Sequence, residues 1–157
     1  MAERKYAKYI ITENIRTAQP PAEMMKRIEE QRKAGNYTEG TALFNLNDKI
    51  VPGAFYVDCH WIWKTHGKQG IQTEIAHTHD FDEVLGFFGS SRENPRKLNG
   101  EIEFWLEDEQ YIIDYSCLIF VPRGLKHLPL VFRRIDSPVF FFTAGNGTVY
   151  TRSSGNE

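Results

Sequence analysis

Two histidines and a glutamate stand close together in the segment His77-Thr78-His79-Asp80-Phe81-Asp82-Glu83. The segment continues an alternating run that starts at Ile71. Ile71, Thr73, Ile75, His77 and His79 share one parity, and Gln72, Glu74, Ala76 and Thr78 the other. Residues two apart in a strand project to the same side, so both imidazoles point together. Glu83 has the same parity and can reach the same point from the next turn or strand. Imidazoles with one carboxylate suit borderline divalent metals such as Zn, Ni, Fe, Co, Cu or Mn. The apolar residues of that parity turn the face toward an enclosed interior.

A second segment, Pro122-Arg123-Gly124-Leu125-Lys126-His127, follows the apolar run Cys117 to Val121. Proline and glycine two apart make a tight turn, after which the chain re-enters a strand at His127. Such a turn can carry one more histidine to the site. His-x-His-x-x-x-Glu followed later by Pro-x-Gly-x-x-His resembles the two motifs of the cupin superfamily. Three small departures accompany the match: Gly70 lies one step further from the first histidine than in the family pattern, Ser116 stands at a usual glycine, and Val131 at a usual asparagine. The resemblance covers residues 50 to 145. It implies an all-β jelly-roll barrel with one divalent transition metal held by His77, His79, Glu83 and His127. Such a set leaves one or two coordination positions open, the usual condition for a catalytic metal. The implied function is a metal-dependent enzyme acting on a modest organic acid or carbonyl compound, as a dioxygenase, a decarboxylase or lyase, or an isomerase. A metal- or ligand-binding module without turnover is the other reading. Tyr56, Tyr111 and Asp114 are candidates for a proton donor or acceptor near the metal.

Other reactive residue types have simpler readings. Asp80 and Asp82 are placed at the rim, as possible acceptors for the ligand histidines. His60 and His66 lack motif spacing and read as structural. Arg123, Lys126, Arg133 and Arg134 cluster around His127 and read as a solvated surface, or as cations steering an anionic substrate. Cys59 and Cys117 belong to no motif and read as reduced, buried small hydrophobes.

The elements that must position these residues follow from length and pattern. The 157 residues fit one domain, 41% are hydrophobic and 13% aromatic, and a core of that size folds without disulfides. A net charge of -2 and a pI near 6.2 argue against nucleic acid as a partner. No signal peptide or membrane span is visible, so the expectation is a cytoplasmic protein with no membrane partner. Residues 1–40 are expected to form an arm with Tyr9-Ile10-Ile11, then a helix opened by Pro21, striped by Met24, Met25 and Ile28 as core contacts, and stopped at Gly35-Asn36. Residues 41–150 carry short β-rich runs and should form the barrel. Gly89 to Gly100 reads as a long loop, and Thr151 to Glu157 as a frayed tail. A homodimer is expected, with residues 6–12 pairing against a partner's sheet.

Overall fold

A computed structural model describes residues 4–153. The chain opens with a short 3-10 turn, Ala7–Tyr9, and continues extended to α1, Ala22–Lys33. Pro21 caps α1 with extended dihedrals, and Gly35 follows the helix at φ +82°, a conformation that favours glycine. No residue of α1 is fully buried. Met24 lines an internal cavity and Met25 is exposed, so of the two methionines expected as core contacts only the first faces inward.

Nine strands follow: β1 Tyr37–Leu46, β2 Tyr56–His66, β3 Ile71–Glu74, β4 Glu83–Gly89, β5 Lys97–Leu106, β6 Glu109–Tyr115, β7 Cys117–Val121, β8 His127–Ile135 and β9 Val139–Gly145. They form a five-stranded sheet in the order β1-β2-β9-β4-β7 and a four-stranded sheet in the order β3-β8-β5-β6. Every named pairing is antiparallel. The jelly-roll class is as the sequence reading has it. The sheets face each other without closing into the continuous barrel that was expected, because no ladder joins one sheet to the other.

Period-two alternation sends one row of each strand into the space between the sheets. Leu85, Phe87, Ile102, Phe104, Phe132 and Val139 fill its lower part and are almost wholly removed from water. Each such side chain contributes about 1.5–3 kcal/mol of transfer free energy. The core therefore needs no contribution from the polar site above it.

Three local expectations change. The long loop is shorter, since β4 runs to Gly89 and β5 begins at Lys97. Ser116 pins what remains: its hydroxyl donates to Pro95 O and accepts from Gly89 N–H. The strand expected to run from Ile71 to His79 breaks after Glu74, with a register shift between Gln72 and Glu74. That bulge turns Glu74 toward the cavity beside Thr73, whereas strict alternation had put the two on opposite faces. The two cysteines are free but only half-buried. No helix of the described residues is long and apolar enough to cross a membrane.

A candidate metal centre

Four polar side chains that would ordinarily seek water sit together between the sheets. His77, His79, Glu83 and His127 are each at most 5% exposed. His77 and His127 are held face to face by reciprocal backbone hydrogen bonds of 3.1 Å, an antiparallel bridge beyond the end of β3. His79 lies two residues further on, its carbonyl accepting the Gly124 N–H of the turn before β8. Glu83 opens β4 and pairs with Val121 on one side and Gly145 on the other. The carboxylate is thus carried by an inner strand of the five-stranded sheet, and His127 by the sheet opposite.

The three imidazoles are oriented alike. Nδ1 of His77 faces Ile75 O at 2.8 Å, that of His79 faces Thr151 O at 2.6 Å, and that of His127 faces Leu125 O at 3.1 Å. A carbonyl only accepts, so each Nδ1 is assigned the proton, which directs the Nε2 lone pairs inward. These ligand atoms lie within 4.8 Å of one another. His77 Nε2 stands 3.1 Å from His79 Nε2, and Glu83 Oε2 lies 3.2 Å from His127 Nε2 and 3.5 Å from His79 Nε2. His127 Nε2 is buried without any aligned hydrogen bond.

Lone pairs facing each other in a dry interior repel, and a buried polar atom without a partner costs about 1–3 kcal/mol. A divalent cation removes both penalties. Two nitrogens about 2.1 Å from one ion stand about 3 Å apart, which matches the His77–His79 separation. Three neutral imidazoles and one carboxylate also carry the single negative charge that a divalent ion over-neutralises. The residues present fit a transition metal.

The surroundings set the charge of the cluster. Burial, then the nearby His127, push His77 down to about 4, so it is neutral at physiological pH. Burial alone would raise Glu83, but the nearby imidazoles of His127 and His79 outweigh it and hold the carboxyl at about 2. Tyr56 O–H donates to Glu83 Oε1 at 3.1 Å and contacts Thr143 Oγ1. Tyr150 O–H donates to His77 Nε2 at 3.1 Å. Burial and the neighbouring carboxylates raise both phenols, which stay protonated.

Beside the cluster lies a cavity of about 390 Å³. Leu85, Leu128, Leu130, Phe132 and Phe141 form its apolar wall, and the segment Asn14 to Pro21 lies across it. Asp58 and His60 project into it from β2, 3.1 Å apart. His60 thus has a carboxylate partner in Asp58, and His66 has one in Glu39. Arg152 also lines the cavity and binds both oxygens of Glu74, at 2.5 and 2.7 Å. This pair is largely buried, and burial still leaves Glu74 above the ordinary carboxylate range. Removing one partner of a buried pair typically costs about 3–5 kcal/mol. Arg152→Leu is therefore expected to lower unfolding free energy by about 3 kcal/mol, read by urea denaturation, while Arg152→Leu/Glu74→Leu should recover most of it. Equal loss in both variants would mean the pair has no energetic coupling.

Several candidates stand elsewhere. Tyr111 and Asp114 are exposed on β6. Asp82 accepts from Arg123 N–H and Asn146, and Asp80 from the Thr151 hydroxyl, so neither supports a ligand histidine. Two of the four clustered cations are committed outside: Arg133 pairs with Glu101 and Glu103, and Arg134 with Asp136. The cations at the cavity are Arg16 and Arg152, which the sequence reading did not single out. Nor did it find Tyr150. Thr151 to Ser153 are also not the start of a frayed tail, since they bond to His79, Glu74 and Thr78. Residues 154–157 of that tail lie outside the described residues.

No family model and no curated protein matches the chain. Solved structures do. A sugar phosphate isomerase from a cupin superfamily of Silicibacter pomeroyi matches at a TM-score of 0.50 with 16% identity, over 83% of this chain and 68% of that one. A Klebsiella pneumoniae protein with a double-stranded β-helix domain matches at 0.46 with 10% identity, over 76% and 85%. An oxalate oxidase in complex with the substrate analogue glycolate matches at 0.47 with 14% identity, over 74% of this chain. The chain spans about half, 54%, of that oxidase. The likeness to the isomerase structure shows the fold, which is the cupin jelly roll.

Proposed function

We infer that the chain holds one divalent transition metal through His77, His79, Glu83 and His127, and that it transforms a small organic acid or carbonyl compound in the adjoining cavity. The observation that carries this is the set of inward-facing Nε2 atoms, fixed by three backbone carbonyls, of which that of His127 is buried without a hydrogen-bond partner. A bound ion of this kind supplies Lewis acidity toward a carbonyl or carboxylate oxygen.

The rest of the chemistry belongs to the chain. A volume near 390 Å³ is at the small end of ligand pockets, which suits a modest substrate. The leucine and phenylalanine wall takes an apolar portion and excludes water. Arg16, at the exposed end of the cavity, suits a carboxylate. Tyr56 and Tyr150 keep their protons and can donate to an oxygen that gains negative charge. Asp58, 3.1 Å from His60, orients its ring, and the pair faces a substrate lying against β2 as a general base.

The test is to load chelated protein with each candidate metal in turn and screen small carboxylic acids, enols and catechols, with and without oxygen. Oxygen-dependent turnover selects the dioxygenase branch. Turnover without oxygen selects a lyase or isomerase. Calorimetric binding with no turnover under any metal would replace the enzyme with a ligand-binding module.

A further inference from the structure

The outer faces of the two sheets differ in kind. On the four-stranded sheet, Glu101 and Glu103 of β5 point outward and pair with Arg133 of β8, as a solvated face does. On the five-stranded sheet, the outward positions are those alternating with Tyr56, Asp58, His60, Leu85 and Thr143, which line the cavity. From Thr41 to Leu46 in β1, Val57 to Trp63 in β2, Val84 to Phe88 in β4, Leu118 to Phe120 in β7 and Phe140 to Ala144 in β9, none of these outward positions carries a charge.

The face is instead aromatic. Trp61 stacks on Trp63 at 5.2 Å and meets Phe140 edge-on at 5.4 Å, and Phe88 stacks on Phe142 at 6.1 Å. Trp63 is 40% exposed, Phe88 37%, Leu118 62% and Phe120 60%. Five strands at the usual spacing and seven residues of strand give a footprint of roughly 500 Å². That lies at the upper end of what a monomer leaves exposed.

We propose that this face is the interface of a homodimer, in which two copies of the chain pack their five-stranded sheets against each other. Two such footprints bury about 1,000 Å² in total, the minimum a biological interface should clear, in the range of weak, reversible association. A two-fold contact sets each patch against itself, and a face without charges meets no like-charge repulsion there. Depletion of charge with enrichment of tryptophan and phenylalanine is also the composition of interface centres. A membrane-binding face differs by carrying lysine and arginine beside its aromatics, and these positions carry none. The contact replaces the arm exchange expected from the sequence. Residues 7–9 form a 3-10 turn rather than a strand, and the arm's hydrogen bond to β1 is Asn14 Nδ2 to Ala42 O within the same chain.

The experiment is analytical ultracentrifugation of the full chain with a dilution series. Wild type should sediment at twice 18.2 kDa at about 50 µM and dissociate at low or submicromolar concentration, as a contact of this size implies. Its tryptophan emission should shift to the red over the same dilution, because Trp61 and Trp63 are rewetted. Trp63→Glu/Phe120→Glu should weaken association at least about 100-fold, while Tyr6→Glu/Ile10→Glu in the arm leaves it intact. The wild-type emission shift needs no variant, so misfolding of the double glutamate protein does not remove the test. A wild-type monomer throughout overturns the proposal. So does a dimer broken by the arm variant alone, or a monomer that sediments with phosphatidylcholine vesicles.

Discussion

A His77→Ala/His127→Ala double variant is expected to emerge from purification with almost no bound transition metal, against close to one per chain for wild type. Even the partners that merely orient a metal-binding histidine are worth about 10–100-fold in affinity. Losing one ligand outright should exceed that range, so His79→Ala alone is expected to weaken binding more than about 100-fold. Glu83→Gln should act less severely, since it keeps the volume and one acceptor but removes the charge that balances the cation. Elemental analysis after dialysis against a metal buffer measures all three. Full occupancy in the double variant would sink the assignment. The fold should survive the loss: the core around Phe87, Phe104 and Phe132 packs below the site and shares no side chain with it. Chelated wild type is therefore expected to keep its β-type circular dichroism, which a structural zinc domain does not.

Acid should destabilise the chelated protein in two successive windows. His77 has its folded value lowered from 6.5 to about 4, so between those values the unfolded chain binds more protons. Stability then falls as pH drops from about 6.5 to about 4, by about 3 kcal/mol if the whole shift is expressed. Glu83 is lowered from 4.5 to about 2, which continues the loss with the same sign over the lower window. Urea midpoints between pH 7 and 3 in the presence of a chelator check this. His77→Asn should flatten the upper window and leave the lower one. A midpoint independent of pH above 4 would show that His77 is not buried neutral in the free protein. Bound metal should instead steepen the loss with falling pH, because it keeps protons off the folded histidines while the unfolded chain still takes them up.

The parts of this architecture that strand parity governs could be read from the residues alone. The two-residue spacing of His77 and His79 brings both to one side, and a proline–glycine turn delivers His127 to the strand opposite. Parity stops at irregularities. A bulge at Gln72–Glu74 turns a glutamate inward, and nothing in the local pattern announces it. Tyr150 and Arg152 are invisible for a different reason: their partners, His77 and Glu74, lie more than seventy positions away, and no short motif records a contact of that span. The histidines' orienting groups are backbone carbonyls, which every residue has and no sequence displays. Asp80 and Asp82 attracted attention because carboxylates are visible, yet their bonds run to the rim. Closure of the sheets into a barrel depends on twist and strand length over the whole fold, and the separate five- and four-stranded sheets settle it the other way.

The carbonyl that orients His79 belongs to Thr151, and the hydroxyl that reaches His77 belongs to Tyr150. The cavity beside them is roofed by residues 14–21. The site is therefore stitched from two segments distant in sequence, residues 14–21 and 150–153, which synthesis makes at well-separated times. Since a growing polypeptide leaves the ribosome amino end first, the sheets and the histidine motifs can assemble while residues 150–153 are still being made. Until that segment is released, His79 lacks its orienting carbonyl and His77 its phenol. A stalled or prematurely terminated chain would thus fold into a jelly roll that is sound in its core and incompetent at its centre. Synthesis of residues 150–153 acts here as the last step in assembling the candidate centre.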